Sequence, residues 1–169
     1  DETSITTDNY NEMRNILTKN QQFRMTFGWK SVYDQTTCNN IGSTDCLHAG
    51  VDYADSTLPG QSVFAGVKGI VIHPDTLTVD NLGRVSVYND EANITYSYLH
   101  LSEVKVKNGD SVNPNTEIGL TGQTFSPGFV HLHFEASYGQ NNYGLNSGSS
   151  SCNPYMALMK GNNLYSYEW

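Results

Sequence analysis

In Val130-His131-Leu132-His133-Phe134-Glu135, strand alternation puts Val130, Leu132 and Phe134 on one face and His131, His133 and Glu135 on the other. Two imidazoles then point the same way, side by side, which suits metal ligation or proton transfer. A His-x-His strand with no partner is more often a solvated polar face. A candidate partner is His48-Ala49-Gly50-Val51-Asp52, where a His and an Asp lie four residues apart across a glycine that permits a bend into the next strand. Histidine nitrogen and aspartate oxygen, joined by one more His, make a three-ligand zinc site with an open fourth position, and an open site is catalytic rather than structural. Alone, His48 and Asp52 carry little weight, because a loop His followed by a surface Asp recurs by chance. Together the two segments are a stronger pattern than either half.

Those residues need a scaffold. Asn9 followed by Glu12 reads as a capping box, and Met13, Ile16, Leu17, Asn20 and Phe23/Arg24 recur at helical spacing, which predicts one amphipathic helix in residues 1–26. Beyond Phe27 the apolar or alternating runs are short, at 51–54, 62–65, 68–73, 84–89, 94–100, 103–106, 116–121 and 130–137, separated by Gly, Pro, Asn and Asp. That spacing is an all-β signature, largely antiparallel. Residues 36–45 read as a polar loop in need of a staple, 139–151 as a long Gly, Ser and Asn-rich loop, and 154–160 as a turn or two of helix. The chain of 169 residues is expected to form one domain over 27–169 behind the helical segment.

Composition narrows the partners. A net charge of −8 with only nine Lys and Arg argues against nucleic acid, since affinity for phosphates comes from those cations. No apolar stretch approaches the ~20 residues that span a bilayer, so no membrane insertion is expected. With Asp1 first and no basic and apolar leader ahead of it, the chain reads as a mature product or an excised domain. Cys38, Cys46 and Cys152 allow one intramolecular bridge in three possible pairings; the local Cys38–Cys46 pair is expected in a secreted setting, with free thiols as the alternative. No C-x-x-C spacing supports a cysteine zinc site or a redox motif.

The ordered set of motifs resembles the lysostaphin-type, LytM-like zinc metalloendopeptidases, which cut peptide bonds in peptidoglycan. His48-Ala49-Gly50-Val51-Asp52-Tyr53-Ala54 is similar to the family's His-x-Gly-x-Asp-type segment, and Tyr96-Ser97-Tyr98-Leu99-His100-Leu101-Ser102 resembles its Tyr-x-His-Leu-Ser strand. Residues 106–112, then 118–124, then His131-Leu132-His133-Phe134-Glu135 follow in the family's order, so the resemblance covers about 27–137. It implies that Zn2+ is held by His48, Asp52 and His133, with His100 and His131 above the metal as the catalytic pair. It also implies a mainly β fold, an antiparallel sheet with a central groove, preceded by the N-terminal helix. Zinc lowers the pKa of bound water from about 15.7 towards about 7 and a neutral imidazole accepts its proton, which agrees with that division of roles. Strand geometry places His131 for the base role, while His100 is left to share it, to bond the oxyanion or to protonate the departing amine.

Two departures and two bystanders complete the reading. Many family members carry a tyrosine oxyanion donor six residues before the first ligand His, where this chain has Gly42; Tyr33 and Tyr98 are the replacements to weigh against tyrosines that merely pack. The short 75–84 segment lacks the Gly-rich run often found there, so that wall of the groove is expected to differ. His73 is expected at the solvated surface, and Glu135 as an exposed strand-end residue, with orientation of a ligand imidazole as its alternative. The expected activity is endopeptidase cleavage next to Gly or D-Ala in peptidoglycan stems or cross-bridges, by an extracellular or wall-associated monomer, secreted or phage-borne, with a separate wall-binding module outside the chain. A non-catalytic peptidoglycan-binding or regulatory module of the same fold is disfavoured because all five positions hold competent residues. A His/Asp zinc carboxypeptidase is disfavoured because only Glu135 is available as its Glu base.

Overall fold

Three α-helices and ten strands organise the computed structural model, which describes residues 5–55, 60–140 and 147–164. The helices are α1 (Thr7–Thr18), α2 (Gln35–Ile41) and α3 (Pro154–Gly161). The strands are β1 (Arg24–Phe27), β2 (Gly50–Ala54), β3 (Ser62–Phe64), β4 (Gly69–His73), β5 (Val85–Asn89), β6 (Ile94–Leu99), β7 (Glu103–Val104), β8 (Ser111–Val112), β9 (Glu117–Leu120) and β10 (Leu132–Tyr138). Seven form one sheet in the order β1-β2-β10-β6-β5-β4-β8, and β3, β9 and β7 form a second. All these ladders are antiparallel, as the short, turn-punctuated runs predict.

Alternation along the central strand divides structure from chemistry. On β10, Leu132, Phe134 and Ala136 enter the hydrophobic core together with Val51 and Tyr53 of β2 and Ile94, Tyr96 and Tyr98 of β6. Burying a side chain of Phe134's size stabilises the fold by about 1.5–3 kcal/mol relative to leaving it exposed. Met13 and Leu17 of α1 and Ala157 and Leu158 of α3 close the same cluster. The intervening residues of β10 face the other way, and the register sets His133 directly opposite Asp52 of β2 and Leu99 of β6. His100 therefore stands one residue past the end of β6, beside the same strand.

Several local expectations change. The capping box is real but starts at Thr6, whose hydroxyl accepts the Asn9 N–H while Asn9 Oδ1 accepts the Thr6 N–H. Helix α1 then stops at Thr18, because Lys19 turns left-handed at φ 51° and returns its N–H to Asn15 O. Phe23 reaches the core and Arg24–Phe27 forms β1 rather than a last helical turn. Residues 36–45 are not all loop: Asp34 caps α2 through the Thr37 N–H at 2.9 Å, and Gly42 ends it in the left-handed region at φ 69°. The Asp-x-x-Thr start and Gly stop were readable as helix signals. Of the 139–151 loop, 141–146 lie outside the described residues, and 148–150 make one 3-10 turn.

Candidate active site

His48 precedes β2, Asp52 lies on it, His133 lies on β10, and their ligand-type atoms converge. His48 Nε2 lies 3.1 Å from His133 Nδ1 and 3.2 Å from Asp52 Oδ1, and His133 Nδ1 lies 3.0 Å from the same oxygen. A tetrahedron with bonds of about 2.0–2.1 Å has edges of about 3.3 Å. The three donors thus form one face of a tetrahedral site with little adjustment, and all three residues are buried.

Backbone carbonyls fix the tautomers. His48 Nδ1 donates to Gly28 O at 2.9 Å, leaving the Nε2 lone pair aimed at the donor triangle. His131 Nδ1 donates to Phe129 O at 3.0 Å and His100 Nδ1 to Thr124 O at 2.8 Å, so each of these rings also keeps a bare Nε2. The His131 and His100 rings lie 4.5 Å apart, and His131 Nε2 is 3.7 Å from Asp52 Oδ1. Glu135 stands behind His133, its Oε2 3.8 Å from Nε2.

Charge follows geometry. Burial opposes ionisation of Asp52, but the hydrogen bonds and charges of His133 and His48 outweigh it and hold the carboxyl far below its ordinary range. Burial likewise opposes a charged His133, yet Asp52 and Glu135 push that imidazole up to about 10. Desolvation, helped by the neighbouring His133 and His131, lowers His100 to about 3, and desolvation also lowers His131. These surroundings favour the charged form of His133, between two carboxylates, and the neutral forms of His100 and His131.

All five predicted histidine and aspartate positions meet in one open cleft of about 450 Å³. Tyr33, Ile41, Leu82, Phe125 and Phe129 form its apolar rim. Tyr33 packs edge-on against His48 at 5.6 Å, and burial with the charges of Asp52 and Glu135 raises its hydroxyl pKa, so it remains a proton donor. Tyr98 is not a replacement donor: it is fully buried on the core face of β6, and its hydroxyl donates to Ala65 O. Tyr53 is likewise core, donating to Tyr10 O. Gly42 has a structural reason to replace tyrosine, since the left-handed cap of α2 disfavours any side chain.

Glu135 is 2% exposed, not a strand-end surface residue, because β10 continues to Tyr138. His73 is not simply solvated, since its Nε2 meets Asp80 Oδ2 at 2.8 Å. Cys38 and Cys46 form the disulfide, with Cα atoms 5.1 Å apart, and Cys152 is a buried free thiol. The bridge ties α2, which brings Thr37 and Ile41 to the cleft, to the segment leading into His48. Sequence reasoning missed this wall because it missed α2.

Residues 47–146 match the sequence profile of peptidase family M23. The peptidoglycan DD-endopeptidase ShyA of Vibrio cholerae is 29% identical over 118 residues, 68% of this chain and 26% of that protein. An uncharacterized metalloprotease of Buchnera aphidicola is 27% identical over 106 residues, 62% of this chain and 27% of that one. The chain thus spans about a quarter of the length of these curated relatives. In fold, it superposes on the catalytic domain of lysostaphin from Staphylococcus simulans with a TM-score of 0.62 and 24% identity, covering 80% of this chain and 92% of the other.

Proposed function

Because this chain belongs to peptidase family M23, we propose that it is a zinc-dependent endopeptidase that hydrolyses peptide bonds next to Gly or D-Ala in peptidoglycan stems or cross-bridges. The observation that carries this reading is the buried triangle of His48 Nε2, Asp52 Oδ1 and His133 Nδ1, flanked by two imidazoles with bare Nε2 atoms. The donor types and their spacing fit zinc, with His48, Asp52 and His133 as its holders. Zinc bound there supplies a Lewis acid that acidifies water and polarises the scissile carbonyl.

The protein's own groups do the rest. His131, whose Nε2 is adjacent to the donor triangle and whose proton affinity Asp52 supports, takes the proton of the attacking water and then gives it to the departing amine as the peptide bond breaks. His100, too acidic at about 3 to hold a proton at neutral pH, accepts a hydrogen bond from that water and aims it. Tyr33 donates its phenolic hydrogen to the oxygen that gains charge as the carbonyl is attacked. Tyr33→Phe is expected to lower kcat by about 10²–10³-fold with metal content unchanged, the usual loss for one oxyanion donor; an unchanged kcat would remove Tyr33 from the mechanism.

Apart from Asp52 and the histidines, the cleft walls are uncharged, and its rim is aromatic and aliphatic. Such a site takes an extended peptide with small side chains at the scissile bond. The activity in the name of the Vibrio cholerae relative supports a peptidoglycan substrate, and the Cys38–Cys46 bridge supports an extracellular setting. A net charge of −8 gives no adhesion to anionic walls, so a wall-binding module outside these residues is proposed to supply targeting. Incubation with sacculi of several wall chemotypes, followed by mass spectrometry, tests the reading. New termini at Gly or D-Ala are expected; cleavage of casein at bulky residues, or new reducing sugar ends, would contradict it.

Metal uptake has a sign. With His133 pushed up to about 10 in the metal-free chain, it is protonated at pH 7 and must lose that proton to act as a ligand. Calorimetry in buffers of differing ionisation enthalpy is expected to show about one proton released per zinc at pH 7, with affinity rising as pH rises. Proton-neutral binding would contradict the placement of that proton. In the metal-free chain His133's stabilising contribution is full just below the unfolded histidine pKa of about 6.5 and is lost as pH climbs through about 10, while that of Asp52 is lost on acidification below the ordinary carboxylate range.

A further inference from the structure

We propose that Asp80 is a positioning residue for His100, acting through the loop of residues 80–84, an inference that rests on the assignment of His100 to the catalytic pair. Four donors converge on the Asp80 carboxylate. Its Oδ1 accepts the backbone N–H groups of Leu82 and Arg84, each at 3.0 Å. Its Oδ2 accepts His73 Nε2 at 2.8 Å, from the end of β4, and Arg84 Nη2 at 3.1 Å, just before β5. The Gly83 N–H closes the same turn on Asp80 O at 3.1 Å.

A loop closed in this way presents two carbonyls in a fixed direction. Leu82 O accepts the His100 N–H at 3.0 Å and Gly83 O the Leu101 N–H at 2.9 Å. From the opposite side, Thr124 O accepts His100 Nδ1 at 2.8 Å and Thr124 Oγ1 donates to Leu101 O at 2.7 Å. His100 and Leu101 are thus gripped between two loops. The grip matters because His100 sits at φ 69°, a backbone conformation an L-residue leaves unless its surroundings over-determine it. The seat has no slack: a Cβ on Gly83, itself at φ 62°, would lie 2.6 Å from Leu101 O and 2.7 Å from Thr124 Cβ.

Asp80 is absent from the cleft lining, whereas Leu82 and His100 both line it. The carboxylate therefore acts on the reaction through the loop that seats His100 and not by contact with the cleft. His73 and Arg84 have the complementary task of holding Asp80 Oδ2, so that Oδ1 stays turned towards the loop N–H groups. This gives His73 a place in the fold that its position before a proline does not reveal.

A double-mutant cycle on the metal-loaded chain, assayed on a soluble cross-linked peptidoglycan fragment, tests the inference. Asp80→Ala is expected to lower kcat by about tenfold or more, with KM within about twofold and zinc still at one per chain, because misplacing a catalytic group costs rate rather than substrate binding. Asp80→Asn keeps an oxygen for the Leu82 and Arg84 N–H groups and is expected to fall between the two. In the His100→Ala background, Asp80→Ala is expected to change kcat by less than about twofold, since no ring remains to be aimed. The NMR signals of the His100 ring are expected to move in Asp80→Ala while those of His48 and His133 stay in place. Should Asp80→Ala fail to fold, Asp80→Asn carries the same cycle. A full effect that persists without the His100 imidazole, or an Asp80 variant with unchanged kcat, would overturn the positioning role. Wild-type turnover in His100→Ala alone would overturn the His100 assignment and this inference with it.

Discussion

His133→Ala is expected to lose bound metal and hydrolysis together, with activity falling below about one-thousandth of wild type. The other donors, His48 Nε2 and Asp52 Oδ1, lie 3.2 Å apart and form only one edge of the site. Two ligands seldom retain zinc against a chelator, because much of the affinity comes from closing the third and from the buried, oriented shell. The substitution also leaves Asp52, 8% exposed, without its hydrogen bond from His133. Removing one partner of such a buried pair costs about 3–5 kcal/mol, so the variant is expected to melt at lower temperature when metal-free. Elemental analysis after dialysis against a chelator, read beside a thermal melt, separates loss of metal from loss of fold. Stoichiometric zinc in folded His133→Ala would remove His133 from the ligand set.

His131→Ala is expected to keep one zinc per chain and its fold, yet lose about 10²-fold or more in kcat, the usual contribution of a positioned general base. His100→Ala is expected to keep metal and lose less, because the role proposed for its ring is to orient the water without holding a proton at neutral pH. Equal retention of rate in both variants would contradict the roles assigned. The pH profile distinguishes them further. Unperturbed histidines would cut activity below about pH 6. Burial lowers both His131 and His100, the latter to about 3, so both stay neutral to lower pH than an unperturbed histidine. The acid limb is therefore expected to lie below that of unperturbed histidines, with release of metal as protons compete for His133 contributing to it.

Period-two alternation on β10 carried most of the site. Once Leu132 and Phe134 are assigned to the core, His131 and His133 must share the opposite face, and the structure places them there. What alternation does not contain is register. Nothing local says that His133 pairs with Asp52 rather than a neighbour, because register comes from strands far apart in sequence. Glu135 illustrates a second limit. Its 2% exposure is set by its place in the middle of a central strand and by tertiary packing over that face, which no composition rule reports. Tyr98 failed as a donor for a reason that was visible: it shares parity with Tyr96 on β6, and both point into the core. Helix α2 was legible too, between the Asp34 cap and the Gly42 stop, but its polar seven-residue run offers no apolar stripe to announce it. The Asp80 clamp was out of reach, since it joins His73, Arg84 and two backbone amides by hydrogen bonds that leave no periodic trace.

The most direct measurement is a zinc titration of metal-free chain on purified sacculi, counting new peptide termini by mass spectrometry. Release is expected to rise linearly with zinc, to break at one equivalent per chain, and to be absent throughout in His133→Ala. Metal-free chain that released peptides at the full rate would contradict a reaction built on His48, Asp52 and His133.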